Sequence, residues 1–199
     1  MIEGLKPLYN ALLRPFSRVL ARMGVHPNIV TISGVIIFLA GGWYTALGHW
    51  ITGVLIIAAG ALLDGLDGLL AREMDKRSSF GAVLDSLCDR LTEILWLGSI
   101  LVYYMRYPIY TGLCVYLAFA ALTGSLLVSY VKARAEGAGI ACNKGILQRP
   151  ERIIILGICQ LAGPEIMPWG LGIIAVFSYL TVIQRTLLVW RNYKKLNVK

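Results

Sequence analysis

Residues 50–72 read WITGVLIIAAGALLDGLDGLLAR, and this stretch decides the fold. Its first 14 residues contain no charged side chain, and a helix needs roughly 20 mostly apolar residues to cross a bilayer. Two aspartates, Asp64 and Asp67, follow within the same apolar run. The stretch therefore predicts a transmembrane helix with carboxylates near its C-terminal end.

The rest of the chain has the same character. It has 199 residues, of which 57% are hydrophobic and 15% charged, with a mean hydropathy of +0.69, whereas a soluble domain carries about a quarter charged residues. We expect an all-α, polytopic membrane protein that forms a single domain over residues 1–199, with a six-helix bundle over about 28–190. Six apolar segments are the predicted spans, at roughly 28–48, 50–72, 79–105, 108–135, 150–164 and 168–190.

Residues 5–23 precede the first span and have an amphipathic pattern. Apolar residues recur at helical spacing, while Arg14, Arg18 and Arg22 follow one another at i, i+4 intervals on another face. This pattern is typical of a helix that lies in the membrane interface. Pro15 is expected to kink the helix.

The basic residues predict the orientation in the membrane. The chain carries 19 Lys and Arg residues and a formal net charge of +8. If both termini are cytoplasmic, every Lys and Arg except Arg106 lies on or toward the cytoplasmic side, as the positive-inside rule requires. We therefore expect a multi-pass protein of the cell membrane. Its basic residues favour anionic lipids and an anionic substrate as partners, not nucleic acid.

Four aspartates form the candidate site. On a helix, Asp64 and Asp67 are i, i+3 neighbours and Asp85 and Asp89 are i, i+4 neighbours, so each pair projects from one face. The short loop at 73–78 makes the two helices antiparallel neighbours, and we expect all four carboxylates to converge at the cytoplasmic edge. Each costs about 2.5–3.5 kcal/mol to place in a membrane, which favours a functional role.

Carboxylates without sulfur or imidazole ligands are typical of a site for Mg²⁺ or Mn²⁺. Two ions bridged by aspartate form a clamp for phosphoryl chemistry. The alternative is a network of ion pairs with Arg72 and Arg90. Gly68, Ala71 and Gly81 lie beside the carboxylates, where small residues allow a ligand to approach the backbone or two helices to pack closely.

The aspartates belong to a longer motif that resembles a known family. The motif fixes eight positions over 26 residues, Asp64-x₂-Asp67-Gly68-x₂-Ala71-Arg72-x₈-Gly81-x₃-Asp85-x₃-Asp89. It is similar to the signature of the CDP-alcohol phosphotransferases, and the resemblance covers essentially the whole chain. It implies a homodimer that transfers a phosphate-linked lipid from a CDP-alcohol to an acceptor hydroxyl and releases CMP.

The same resemblance implies roles for individual residues. Asp64, Asp67, Asp85 and Asp89 would hold two metal ions, and Asp89 would be the general base. The diphosphate and the nucleotide would be bound by a larger set, which comprises Asn28, Ile29, Val30, Thr31, Asp64, Asp67, Gly68, Ala71, Arg72, Ser78 and Gly81.

A second cluster bears on the acceptor. Polar and basic residues occur near the predicted cytoplasmic ends of the last three spans, and Arg185 lies inside an apolar run. They indicate a pocket for a second phosphate, although positive-inside topology alone accounts for some of them. The stretches resemble the phosphatidylinositol-phosphate and archaetidylinositol-phosphate synthases, which implies that inositol phosphate is bound by Ser129, Lys132, Arg152 and Arg185.

We therefore expect transfer from CDP-diacylglycerol or CDP-archaeol to inositol 1-phosphate. The same chemistry with glycerol 3-phosphate as the acceptor stays open. Two other classes also use intramembrane carboxylates. A membrane prenyltransferase normally has two aspartate-rich motifs in separate halves. A divalent-cation transporter has its sites nearer the midplane and does not need Gly68 and Arg72.

Overall fold

The computed structural model of the protein describes residues 6–76, 78–107 and 112–196. These residues form seven helices and no strand, in the order α1 (Lys6–Arg22), α2 (Pro27–Ala46), α3 (Trp50–Glu73), α4 (Ser79–Arg106), α5 (Gly112–Gly137), α6 (Arg149–Ala162) and α7 (Met167–Leu196). The all-α prediction is confirmed. Residue 5 of the predicted interfacial helix and residues 108–111 of the predicted fourth span lie outside the described residues.

Several of these helices have the length and composition of membrane spans. Within the described residues, α2, α3, α5 and α7 are long and apolar enough to cross a bilayer. Their outward faces carry large apolar side chains, and Trp43, Tyr116 and Trp169 are 66%, 73% and 75% exposed. Such faces are stable in lipid and would be a liability in water. The protein is therefore a multi-pass membrane protein.

Two helices differ from the six predicted spans. α4 has 28 residues, but it carries Asp85, Asp89, Arg90 and Glu93, too many charges for an apolar span. α6 has 14 residues and is about 21 Å long, whereas the hydrocarbon core is about 30 Å thick. The sequence pattern located both helices correctly, but neither has the composition and length of a standard span.

The predicted amphipathic segment is helical, and α1 continues through Pro15. The apolar residues of α1 form two stripes, one buried against α3 and one exposed. Leu13 packs with Leu66 and Leu70 of α3 in a buried cluster. Leu12, Phe16 and Val19 belong to the second stripe, which is exposed.

The chain divides into two compact units, of which the first runs to Ile100. Its most extensive contact joins α2 to α3. Glycines allow the two backbones to approach, since a Cβ atom added at Gly53 would lie 2.9 Å from the Gly41 carbonyl oxygen. α4 packs on α2 through Trp96, whose ring meets Phe38 edge to face at 6.1 Å.

The second unit begins at Leu101 and contains the end of α4 with α5, α6 and α7. Here α5 packs along α7, and α6 also contacts α7. The segment between α5 and α6 is bound to α7 by hydrogen bonds that include the following two. The Leu147 amide donates to Thr181 Oγ1 at 3.1 Å, and Asn192 Nδ2 donates to the Ala141 carbonyl at 3.3 Å.

Candidate active site

Three of the four predicted aspartates meet. Carboxylate oxygens of Asp64, Asp85 and Asp89 all lie within 4.8 Å of one another. Asp64 comes from α3, and the other two lie one helical turn apart on α4. The predicted convergence of the two helices is therefore present for this acidic triad.

Asp67 is buried beside the triad and has partners of its own. Its Oδ2 atom accepts a hydrogen bond from Thr31 Oγ1 of α2, and its Oδ1 atom accepts one from the Gly68 amide. Asp67 is only 6% exposed. A buried carboxylate is costly unless it is hydrogen-bonded. The hydrogen bond from Thr31 therefore stabilises the Asp67 side chain in its buried position and orients it.

The triad has the chemistry of a divalent-cation site. Its ligand atoms are carboxylate oxygens, which suit Mg²⁺ and Mn²⁺. Three carboxylates at this spacing also repel one another unless positive charge lies between them. The residues that are present therefore fit a divalent metal ion.

The triad adjoins a cavity of about 300 Å³, which has Asp85 in its wall. Eight of the residues predicted to contact a nucleotide line it, namely Asn28, Thr31, Asp67, Gly68, Ala71, Arg72, Ser78 and Gly81. The other three, Ile29, Val30 and Asp64, are not among the lining residues. Asp64 belongs to the acidic triad instead. Ile29 is exposed, and Val30 is buried in the cluster that joins α1 to α3. Helical periodicity explains this split, because successive residues of α2 point in different directions.

The cavity has the electrostatics of an anion site. Pro27 and Asn28 belong to the first turn of α2, and Gly81 belongs to the first turn of α4. Helix N-termini present amide groups and a partial positive charge to anions. Arg72 adds a full positive charge from the last turn of α3. The same wall holds Asp67 and Asp85, so positive groups and carboxylates line one cavity.

The small residues of the motif have different surroundings. A Cβ atom added at Gly68 would meet nothing within 4 Å, so its missing side chain leaves space in the cavity. At Gly81 a Cβ atom would lie 3.1 Å from Ser78 Oγ and 3.7 Å from Asn28 Oδ1. Gly68 therefore leaves open space in the cavity, and Gly81 gives room to the polar groups of the cavity wall.

The second predicted cluster lies in the second unit, and its arginines are buried. Arg152 and Arg185 are 1% and 4% exposed, and they are close enough for their charges to repel. Arg185 donates from Nε to the Lys144 carbonyl at 3.0 Å and from Nη1 to the Val128 carbonyl at 2.6 Å. Arg152 donates to the Leu147 carbonyl at 3.3 Å.

The other two members of this cluster are half-buried. Lys132 lies 3.7 Å from the Glu136 carboxylate, four residues further along α5, and Ser129 is one turn before Lys132. Glu136 also attracts the charge of Arg185. An acidic residue thus takes part in a cluster that we predicted from basic and polar residues, and its i, i+4 spacing from Lys132 was the signal for it.

Comparison with known proteins identifies the family. The family described as CDP-alcohol phosphatidyltransferase matches residues 24–193. The chain belongs to this family. It is therefore a transferase of phospholipid biosynthesis, and the resemblance read from the aspartate motif is confirmed.

Several CDP-alcohol phosphatidyltransferases are similar over nearly the whole chain. The archaetidylinositol phosphate synthase of Methanothermobacter thermautotrophicus is 35% identical over 198 residues, which is 98% of this chain and 96% of that protein. The phosphatidylinositol phosphate synthase of Mycobacterium marinum is 35% identical over 186 residues, covering 89% of this chain and 79% of that protein.

Comparison with solved structures finds enzymes of the same family. The Mycobacterium tuberculosis phosphatidylinositol phosphate synthase with CDP-DAG bound matches with a TM-score of 0.83 and 32% identity, over 90% of this chain and 94% of that one. The same enzyme in complex with manganese and citrate matches with a TM-score of 0.83 and 33% identity, over 89% of this chain and 88% of that one.

Two residues of the cavity wall were missed by the sequence analysis. Lys76 and Ala82 line it beside the residues of the family signature. Ala82 follows Gly81 and has no distinctive chemistry. Lys76 was interpreted only as part of the cytoplasmic charge, and its place in the short loop after Arg72 was the available signal.

Proposed function

We propose that this CDP-alcohol phosphatidyltransferase transfers a phosphatidyl-type group from a CDP-lipid, either CDP-diacylglycerol or CDP-archaeol, to the hydroxyl of inositol 1-phosphate. The acceptor oxygen forms a bond to the lipid-side phosphorus of the diphosphate. The bond from that phosphorus to the bridging oxygen breaks, and CMP leaves with the electron pair. The hydroxyl proton passes to a carboxylate.

One observation carries this proposal: Asp85 belongs both to the acidic triad and to the wall of the cavity that the signature residues line. A diphosphate needs donors and positive charge around its oxygens. Arg72 and the N-termini of α2 and α4 supply them from the cavity side. The named relatives act on lipids of this kind, and one of them was solved with CDP-DAG bound.

Asp89 is the proposed proton acceptor. Its carboxylate lies in the triad, and a general base must be within hydrogen-bond reach of the hydroxyl it activates. Arg90 Nη1 is 3.8 Å from Asp89 Oδ2 and donates to Ser86 Oγ at 2.8 Å. This pairing restricts the Asp89 side chain.

Asp64, Asp67, Asp85 and Asp89 are proposed to hold two Mg²⁺ or Mn²⁺ ions. These residues would hold divalent ions, which would supply positive charge to the diphosphate and to the leaving CMP. A relative solved with manganese supports the choice of metal. Asp67 is restrained by Thr31, so the geometry of this ligand depends on α2 as well as on α3.

Inositol phosphate is the proposed acceptor because of the buried arginines. The two described hydrogen bonds of Arg185 end on neutral carbonyls, which orient the guanidinium group without neutralising it. Arg152 adds a second positive charge nearby. These positive charges attract an acceptor phosphate, and arginine binds phosphate with two parallel hydrogen bonds. Lys132 and Ser129 are proposed to complete this site.

An acceptor competition experiment tests the proposal. The purified full-length enzyme is given one CDP-lipid with equal concentrations of inositol 1-phosphate and glycerol 3-phosphate, and the lipid products are separated. We expect phosphatidylinositol phosphate, or its ether-lipid equivalent, as the main product. If the only lipid product is the one made from glycerol 3-phosphate, the proposed acceptor is wrong and the family assignment remains intact.

Variants separate the acceptor site from the nucleotide site. Lys132→Ala should raise the KM for the acceptor by about fivefold, in the range of a partly exposed charge contact, and leave the KM for the CDP-lipid unchanged. Arg191→Ala, which removes an exposed cation of α7, is the control and should change neither. Equal changes in both KM values for Lys132→Ala would contradict the acceptor site.

We also propose a single domain with six spans behind an interfacial helix α1, both termini and the active site at the cytoplasmic face of the cell membrane, and a homodimer. The exposed stripe of α1 suits the interface, and the described cations in the loops fit the positive-inside rule. A short span such as α6 is accommodated by local thinning of the bilayer. Mass measurement in detergent tests the dimer.

A further inference from the structure

The backbone of the loop after α3 is fixed by a helix cap. Helix α3 has Met74 as its C-cap. The Lys76 amide donates to the Ala71 carbonyl at 3.0 Å, and the Asp75 amide donates to the Arg72 carbonyl at 3.4 Å. These two bonds form a Schellman motif, in which the residue after the C-cap is left-handed, and Asp75 has φ of 51°.

Comparable caps end three other helices with glycine in the left-handed position, at Gly24, Gly48 and Gly139. Among the described residues, Asp75 is the only non-glycine residue with positive φ. Its conformation is maintained by the cap bonds at a conformational cost. The next residue, Lys76, therefore leaves the helix end in a defined direction.

That direction brings Lys76 to the cavity. Lys76 lines the same wall as Arg72 and Ser78 and is exposed, so its ammonium group is free to move within reach of a ligand. The Lys76 side chain makes no ion pair with any of the residues that the structure describes. Position 76 is not part of the family signature, whose fixed positions pass from Arg72 to Gly81.

The charges of the cavity wall balance only when Lys76 is counted. Asp67 and Asp85 contribute two carboxylates to the wall, and Arg72 with Lys76 contributes two cations. A cytidine nucleotide adds phosphate charge to this balance. Lysine is a flexible point charge with three donors, which suits phosphate oxygens at a rim that opens to water.

We propose that Lys76 is a further nucleotide-binding residue, whose ammonium group contacts a phosphate of the cytidine nucleotide from the loop side of the cavity. This inference rests on the proposed function. The only described bond of Lys76 is made by its backbone amide, which every replacement except proline keeps. Loss of the side chain therefore removes charge without removing the cap.

CMP binding to the full-length protein, measured by calorimetry with Mg²⁺ present, tests this role. Lys76→Gln should weaken binding about fivefold at an ionic strength of about 0.05 M, and Lys76→Arg should restore most of the affinity. The loss should shrink at about 0.5 M, where exposed charges are screened. Arg106→Gln, which removes an exposed cation of α4 outside the cavity wall, should leave CMP affinity unchanged.

The outcomes separate the two proposals. If the parent protein binds no CMP, the proposed function is wrong, and Lys76 has no nucleotide to bind. If the parent binds CMP and Lys76→Gln binds it equally at low ionic strength, only the role of Lys76 is refuted. A loss that is independent of salt and not restored by arginine also refutes the charge contact.

Discussion

At the scale of single residues, Gly68 is a position where the stability of the helix and the space for a ligand favour different residues. A methyl group there meets nothing within 4 Å, and the position lies inside helix α3. Alanine is about 0.8–1.0 kcal/mol better than glycine in a helix interior. The fold would therefore gain from alanine, and we propose that glycine is present because of the space it leaves in the cavity.

Gly68→Ala should raise or preserve the thermal unfolding midpoint and weaken CMP binding several-fold, because the methyl group occupies the nucleotide's space. Gly98→Ala is the matched control, since its added Cβ also meets nothing within 4 Å and it does not line the cavity. It should change stability alone. Parent-like CMP affinity in Gly68→Ala would show that Gly68 does not admit the ligand.

Thr31 and Asp67 are linked by a hydrogen bond between residues 36 positions apart. Thr31→Val removes the hydroxyl at nearly constant shape, and a lost hydrogen bond to a charged group costs about 1.5–3 kcal/mol. We expect a higher Mg²⁺ concentration for half-maximal activity, because Asp67 loses its orientation. Thr31→Ser, which retains the hydroxyl, should behave like the parent. An unchanged Mg²⁺ dependence in Thr31→Val would exclude this role.

The same pair shows what the sequence could predict about the site. The i, i+3 and i, i+4 spacings placed the aspartates on common faces, and the triad follows from that. Nothing in the spacing indicated that Asp67 would bond to Thr31, because that contact depends on the rotation of α2 against α3. The buried hydrogen bonds of Arg185 to the Val128 and Lys144 carbonyls have the same origin in tertiary packing.

At the scale of the helices, the close approach of α2 and α3 depends on glycine. A Cβ atom at Gly53 would lie 2.9 Å from the Gly41 carbonyl oxygen and 3.0 Å from the Thr45 amide nitrogen. Backbone atoms cannot move aside as a flexible side chain can. This packing positions Thr31 of α2 beside Asp67 of α3, so the active site depends on it.

Gly53→Ala should lower the stability by about 1–3 kcal/mol, as overpacking does in other cores, and should lower the thermal midpoint in detergent. Gly34→Ala lies in the same helix pair and is the control, because its nearest neighbour, the Gly60 carbonyl oxygen, is at 3.7 Å. Equal midpoints for the two variants would contradict the packing argument.

The positions of the helices were largely predictable from the sequence. The number of helices with the length and composition of a standard membrane span was not. Apolar runs gave the positions of α2 to α7 because a bilayer requires length and low charge. The pattern could not show that α6 would stop after 14 residues. Gly163, with φ of 107°, follows the last residue of α6.

At the scale of the whole molecule, orientation in the membrane is the property that the charges predict. His49 and Asp75 are exposed at opposite ends of α3, whose 24 residues extend about 36 Å. Single cysteines at these positions should react with a membrane-impermeant maleimide from opposite sides, position 75 only from the cytoplasmic side. Labelling of both from one side would contradict the topology.

We propose that the activity of the whole molecule depends on carboxylates from two helices acting together through a divalent ion. The most direct test follows CMP release from a CDP-lipid and inositol 1-phosphate by the purified full-length protein, before chelation, after thorough chelation, and after Mg²⁺ is restored. We predict that CMP release stops on chelation and resumes when Mg²⁺ is restored. The Asp85→Asn variant should release no CMP, either before chelation or after Mg²⁺ is restored. Undiminished CMP release in the presence of the chelator would contradict the proposed role of the aspartates.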